Sequence, residues 1–221
     1  MLQPSTLTFL RSLKKNNNKV WFDEHRKDYE SARADVERLV QAILDKHAKN
    51  DPFVATLTAK ECIFRINRDI RFSKDKSPYK TNFGVRIRTG AKKFPFADYY
   101  VHLEPGGSFA GGGLYQPEAT ELKKMRQEID YNPDEFRSIV ESKKFRSVFG
   151  TLDNDPALKI SRVPKDFDKE SPIAEYLKYK SYIAFIDLPD EMLTDKNLVK
   201  LITDAFVVLQ PLLAFINRSM E

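Results

Sequence analysis

Phe83-Gly84-Val85-Arg86-Ile87 and, further along, Tyr99-Tyr100-Val101-His102-Leu103 carry apolar side chains at every second residue. A strand turns successive side chains to opposite faces, so a period of two predicts half-buried antiparallel strands. The same alternation reads through Cys62, Phe64, Ile66, Ile70 and Phe72, which predicts another strand ahead of these two. If the strands are neighbours, Phe83, Val85, Ile87, Tyr99, Val101 and Leu103 share an apolar face. Arg65, Asn67, Asp69, Arg71, Arg86, Arg88, Tyr100, His102 and Glu104 then share the opposite face, which is mostly cationic. On strand parity Arg68 falls among the apolar residues, where a guanidinium needs a carboxylate, an aromatic ring or a bulge; Asp69 and Asp75 are the nearest acids.

Outward from this block the period lengthens to three or four, the mark of helices. Ser5 or Thr6 can cap a helix carrying Leu7, Leu10 and Leu13, which Asn16-Asn17-Asn18 ends. From Trp21 the pattern predicts one helix to about His47, stopped by Asn50-Asp51-Pro52. The glycines of Glu104-Pro105-Gly106-Gly107-Ser108-Phe109-Ala110-Gly111-Gly112-Gly113 read as a hairpin turn followed by a bulge. They match no nucleotide-binding loop. Pro117 opens a helix, Asn132-Pro133-Asp134-Glu135 opens another that Gly150 ends, and 151–171 reads as loop. Ser171-Pro172 starts a short helix, Tyr182 to Ile186 is a strand, and a last helix runs from Thr194 to about Ser219, kinked or split by Pro211. The expected architecture is α+β: a twisted antiparallel sheet with helices packed mainly on one face and long N- and C-terminal helices. It is expected as a single domain over 1–221, with a helical part at 1–50, a basic sheet region at 60–115, and a mainly helical 116–221 with one late strand.

The chain has 221 residues, 41% hydrophobic and 12% aromatic, with 37 Lys and Arg against 32 Asp and Glu, which excludes a disordered or fibrous protein. Its one cysteine, Cys62, permits neither an intramolecular disulfide nor a Cys-based zinc cluster. The start, MLQPSTLTFLRSLKK, has its basic residues after a broken apolar stretch, opposite to a secretory signal, and no uncharged run reaches membrane-span length. A cytoplasmic protein without a membrane partner, metal or cofactor is expected; the oligomeric state is left open.

Charge is distributed unevenly. Residues 60–93 hold eleven of the cations and only three acids, so this stretch is strongly positive while the remainder is slightly negative. Such asymmetry marks a surface that meets anions. The segment Ser73 to Tyr79 has turn chemistry, which would project Lys74, Lys76 and Lys80 beside Arg71. The candidate ligand-binding set is therefore Arg65, Arg68, Arg71, Asp75, Lys76, Tyr79, Lys80, Arg86, Arg88 and Tyr100, with Arg68 and Asp75 as the organising pair. Two readings stand side by side: a site for a phosphorylated or other anionic small molecule, and an ion-pair network that only pins the turn. The alternative is a noncatalytic module that binds nucleic acid or an acidic protein on the same face, with nucleic acid the less favoured partner. Of the interleaved rings Tyr79, Phe83, Phe94, Phe96, Tyr99 and Tyr100, parity leaves only Tyr100 clearly on the basic face. His102 and Glu104, on the same face as Tyr100, are the candidates for proton transfer. Whether the protein is an enzyme is not decided by these residues.

The run RINRDIRFSKDKSPYKTN (65–82) and the segment GGGLYQP (111–117) resemble the signatures of a widespread family of bacteria and some fungi catalogued as a domain of unknown function. Trp21-Phe22 with Tyr29, Leu122 and Arg126, Pro164-Lys165, and Leu177-Lys178-Tyr179-Lys180-Ser181-Tyr182 extend the resemblance over nearly the whole chain. It implies no activity, substrate or cofactor. Tyr115 and Asp166 depart from the aromatic, often Trp, and the glycine associated with those positions.

Overall fold

The structure, a computed structural model, describes residues 1–88 and 97–221. Among the described residues the helices are α1 (Pro4–Lys15), α2 (Lys19–Glu24), α3 (Arg26–His47), α4 (Ala59–Cys62), α5 (Ala119–Tyr131), α6 (Pro133–Val140), α7 (Lys143–Phe149), α8 (Asp190–Leu193) and α9 (Leu198–Met220). The strands β1 (Phe83–Ile87), β2 (Asp98–Leu103), β3 (Ser108–Leu114) and β4 (Tyr182–Leu188) form an antiparallel sheet in the order β1-β2-β3-β4. The fold is mixed α+β, with helices at both ends of the chain, as the periodicity requires. Phe83, Val85, Ile87, Tyr99, Val101 and Leu103 are all buried, so the strand parity is as read.

The chain packs into two compact units, each assembled from three stretches of sequence. The first comprises Met1–Ile87, Tyr100–Ala110 and Asp187–Asp204. Here α1 packs on α3, joining Leu7, Leu10 and Leu13 to Val36, Leu39, Val40, Ile43 and Leu44 in one apolar core. Helix α1 begins at Pro4, ahead of Ser5 and Thr6, and none of its own side chains caps it. The buried Asp35 of α3 does so instead, accepting the Gln3 N–H and the Thr6 hydroxyl, each at 2.7 Å. The single helix expected from Trp21 is divided at His25, whose backbone leaves the helical region. Its ring Nδ1 lies 2.8 Å from the Trp21 carbonyl and its ring stacks on that of Trp21, so the side chain stabilises the break.

The expected strand over 62–72 is the main correction. Residues 59–62 are helical, and the chain beyond them pairs only at isolated antiparallel bridges, Ile63 with Val85 and Asn67 with Tyr79. The buried residues are Ile63 and Ile66, three apart, which breaks the period of two and leaves Phe64 43% and Phe72 95% exposed. The backbone donors here go elsewhere: Phe64 to Gly84, Arg68 to Pro78, and Lys80 back to Ile66. Residues 66–80 thus form a looped hairpin, and Arg65, Asp69 and Arg71 do not line a sheet strand. The second face of β1 and β2 consists of Gly84, Arg86, Asp98, Tyr100 and His102, more aromatic than cationic.

The second unit comprises Arg88–Tyr99, Gly111–Ile186 and Ala205–Glu221. Its core includes Tyr99 stacked on Phe206, with ring centroids 4.6 Å apart, and Phe136 against Phe215 and Tyr182. Gly111 to Gly113, expected in a bulge, lie inside β3, while the turn is confined to the residues before Ser108. A Cβ on Gly111 would lie 2.0 Å from the Ala184 carbonyl oxygen, so this strand approaches its neighbour too closely for side chains. The short helix expected after Ser171-Pro172 is a turn followed by a 3-10 turn at Tyr176–Lys178. Pro211 does not split α9. It lies on an exposed side, as does Val207 four residues back, so the carbonyl that Pro211 cannot satisfy meets water. By length and composition α9 could cross a membrane; half of its most apolar window is buried inside the protein, as in a core helix.

Candidate functional site

The looped hairpin 66–80 is organised from within by Arg68. Its guanidinium donates to Asp75 Oδ2 at 2.5 Å and to the Ser77 carbonyl at 2.9 Å, with the Ser73 hydroxyl at 3.4 Å. Asp75 in turn accepts the Ser77 hydroxyl and N–H at 2.7 and 2.9 Å. The Ser77 hydroxyl, the Ser77 N–H and then Arg68 bring the Asp75 carboxyl down from the usual 3.8 to about 2. A carboxyl lowered on folding stabilises the loop above its unfolded value and loses that contribution as pH falls through the folded one. The Ser77 amide resonance is therefore expected to titrate with a midpoint of about 2; a midpoint near 3.8 would show that the Arg68–Asp75–Ser77 network does not form in solution.

Asn17, in the turn between α1 and α2, holds this hairpin in place. Its side-chain amide donates to the Tyr79 carbonyl at 2.9 Å and accepts the Tyr79 N–H at 3.1 Å, imitating a pair of ladder bonds. The Tyr79 ring is buried against Phe22, with centroids 3.9 Å apart, so Tyr79 anchors the hairpin. Beside it lies a pocket of about 360 Å³, within the size range of small-molecule sites, bordered by Lys14, Asn17, Arg68, Asp75, Lys80 and Thr81. A larger hollow of about 460 Å³ lies against Phe9, Trp21 and His25 and has serine hydroxyls and Asp28 on its wall but no lysine or arginine.

The expected site residues do not all meet in one place. Arg68, Asp75, Tyr79 and Lys80 border the pocket. Arg71 is an exposed partner of Asp69, at 2.7 Å, and the Lys76 ammonium donates to the Ile70 carbonyl at 3.0 Å, so both are engaged outside the pocket. Arg65 is exposed on the approach to the hairpin, Arg86 is half-buried on β1, and Arg88 follows the end of that strand. Lys92, Lys93, Phe94 and Phe96 lie outside the described residues. The sequence reading missed Lys14, Asn17 and Thr81. Lys14 and Asn17 come from far upstream, in the last turn of α1 and just beyond it, and the Asn16-Asn17-Asn18 run signalled only a helix end.

Lys80 differs from its neighbours. Its ammonium lies 5.2 Å from the centroid of the Phe64 ring and, among the described residues, forms no carboxylate ion pair. Burial, and then the positive charge of Arg65, push its pKa down from the usual lysine value.

Strand parity brings Tyr100, His102 and Glu104 together as expected. The Tyr100 hydroxyl is 3.3 Å from His102 Nδ1, and His102 Nε2 is 3.2 Å from Glu104 Oε2. The other Glu104 oxygen accepts the Thr81 hydroxyl at 3.0 Å and the Lys14 ammonium at 3.3 Å, both from the pocket wall. Burial is the largest influence on the Glu104 carboxyl and pushes it up, but the bonds from His102, Thr81 and Lys14 together hold it below the usual range. Among the described residues no group of three or more His, Cys, Asp or Glu has the arrangement of a metal site.

No curated protein and no solved structure matches the chain. A family model described as a conserved hypothetical protein, DUF2461, matches residues 5–215, which include both α1 with Lys14 and the 66–80 hairpin. Because that match spans all but the two ends of the sequence, the chain belongs to the DUF2461 family.

Proposed function

We propose that the pocket bordered by Lys14, Arg68 and Lys80 binds an anionic small molecule, with a phosphate monoester as the fitting class. The observation that carries this reading is Lys80, a half-buried ammonium that burial and Arg65 disfavour and that no carboxylate among the described residues compensates. The charge of a dianionic phosphate placed there would offset both penalties, and its oxygens would accept charge-assisted bonds from a lysine and an arginine. Arg68 is already oriented by Asp75 and Ser77, which lowers the entropic cost of engaging it. Phe64, exposed beside Lys80, offers an apolar surface to the body of the ligand. A single exposed ring fits one small molecule better than a run of stacked bases.

Phenyl phosphate, followed by calorimetry at low ionic strength, tests the proposal. Lys80→Ala is expected to weaken binding about tenfold or more, the worth of one charge-assisted bond. Arg71→Ala, outside the pocket, is expected to leave affinity close to wild type. Equal affinities of wild type and Lys80→Ala, or no heat with wild type, would sink the reading, and tighter binding of an oligonucleotide than of phenyl phosphate would transfer the site to nucleic acid.

A further inference from the structure

Tyr100, His102 and Glu104 have an order that the anion pocket alone does not require. An ionised carboxylate can only accept, so the His102 proton resides on Nε2 facing Glu104. Nδ1 is then left as the acceptor facing the Tyr100 hydroxyl. Phe109 lies flat on the imidazole, with centroids 4.9 Å apart and planes within 6°, and fixes the ring's plane. Gly84 keeps space open for the phenol: a Cβ there would lie 2.7 Å from the Tyr100 oxygen and 3.0 Å from Phe64. A glycine inside a strand costs stability, and here the space it leaves is filled by a hydroxyl directed at a base.

We propose that Tyr100, His102 and Glu104 form a nucleophile, base and orienter, with the Tyr100 phenol attacking an ester whose anionic end is held at Lys80. The substrate class rests on the reading of the pocket given above. The exposed Phe64 ring neighbours both groups, 5.2 Å from the Lys80 ammonium and 6.5 Å from the Tyr100 ring centre, and is the surface that a ligand anchored at Lys80 would follow to reach Tyr100. In the first step the Tyr100 oxygen bonds to the electrophilic atom of the ester as the bond to the leaving oxygen breaks. The phenol proton passes to His102 Nδ1 and from there to the leaving group. Water then attacks the tyrosyl ester, giving a proton to His102, which returns it to the Tyr100 oxygen as that bond breaks. Glu104 stabilises the imidazolium in both steps. Burial raises the Tyr100 pKa, so at neutral pH the phenol is protonated and needs this base.

Arylsulfonyl fluorides read such a phenol directly: a sulfur–oxygen bond forms, fluoride leaves and the proton goes to the base. The full chain is treated with neutral benzenesulfonyl fluoride and with anionic 4-(fluorosulfonyl)benzoate, and its nine tyrosines are mapped by mass. Tyr100 is expected to be modified first by both. His102→Gln is expected to slow its modification by both reagents about tenfold or more, the lower end of what a positioned base contributes being a hundredfold. Gly84→Ala, which displaces the hydroxyl and leaves the base intact, is expected to slow both as well. Lys80→Ala is expected to slow the benzoate alone. Modification of Tyr100 no faster than of the other tyrosines, or at the wild-type rate in a folded His102→Gln, would overturn the triad. Benzoate modification unaffected by Lys80→Ala would overturn the link to the pocket while supporting the triad. Nitrogen-15 shifts of His102 in the wild type supply a check that needs no variant: a proton on Nε2 supports the relay, and one on Nδ1 overturns it.

Discussion

Gly113→Ala is expected to lower the melting temperature by about 6–12 °C, from a loss of about 3 kcal/mol in a protein of this size. Gly113 has φ of +128°, a conformation that side-chain-bearing residues rarely adopt. A Cβ there would lie 2.1 Å from the Tyr182 carbonyl oxygen and 2.9 Å from the Ile183 Cα, so the clash is with backbone that cannot rotate away. Relief requires β3 and β4 to separate where they pair. Gly107→Ala is the matched control, because a Cβ at Gly107 has nothing within 4 Å, and its melting temperature should stay within about 2 °C of wild type. Thermal unfolding followed by circular dichroism reads both; a Gly113→Ala protein that melts with the control would show that the glycines are not required by close strand approach.

These same glycines show how far the sequence could be read and where it stopped. Alternation in 83–87 and 99–103 specified both strands and their buried face, because each strand is buried on one side and the period is two. The glycine run carries no hydropathy pattern, so β3 left no periodic signal; its only trace was the number of glycines, which indicates close approach without saying what approaches. The segment 62–72 failed for the opposite reason. It alternates convincingly, but Phe64 and Phe72 are exposed and Ile63 replaces Phe64 in the core. Arg68, bonded to Asp75 and to the Ser77 carbonyl, closes a hairpin where the alternation predicted a continuous strand. The Arg68–Asp75 pair was legible only alongside Asp69, the other candidate acid, and from a strand parity that the structure does not keep; the pair forms as the closure of a hairpin. Which cations meet in one pocket was not legible. Lys14 and Asn17 arrive through the packing of α1, a long-range contact that no local period reports.

That packing makes Asp35 the second position of large effect. Asp35→Ala is expected to cost about 2–4 kcal/mol, the sum of a lost helix cap and a stranded buried hydroxyl. The Gln3 N–H and the Thr6 hydroxyl both depend on one carboxylate oxygen, while the other is 3.0 Å from Arg38. With alanine in place, Thr6 remains 1% exposed with its donor unsatisfied, which is the larger part of the penalty. Adding Thr6→Val removes that donor at nearly constant shape, so the double variant should recover roughly 1 kcal/mol relative to Asp35→Ala alone. Urea unfolding of the wild type, both single variants and the double variant closes the cycle; strict additivity would show that the two groups do not interact. The consequence extends to the pocket. Lys14 sits in the last turn of α1 and Asn17 just beyond it, so weakening the α1–α3 contact loosens two pocket residues at once. Phenyl phosphate affinity in Asp35→Ala should therefore fall although the substituted side chain is not part of the pocket wall. Unchanged affinity in a folded Asp35→Ala would mean that the 66–80 hairpin organises the anion pocket without help from α1.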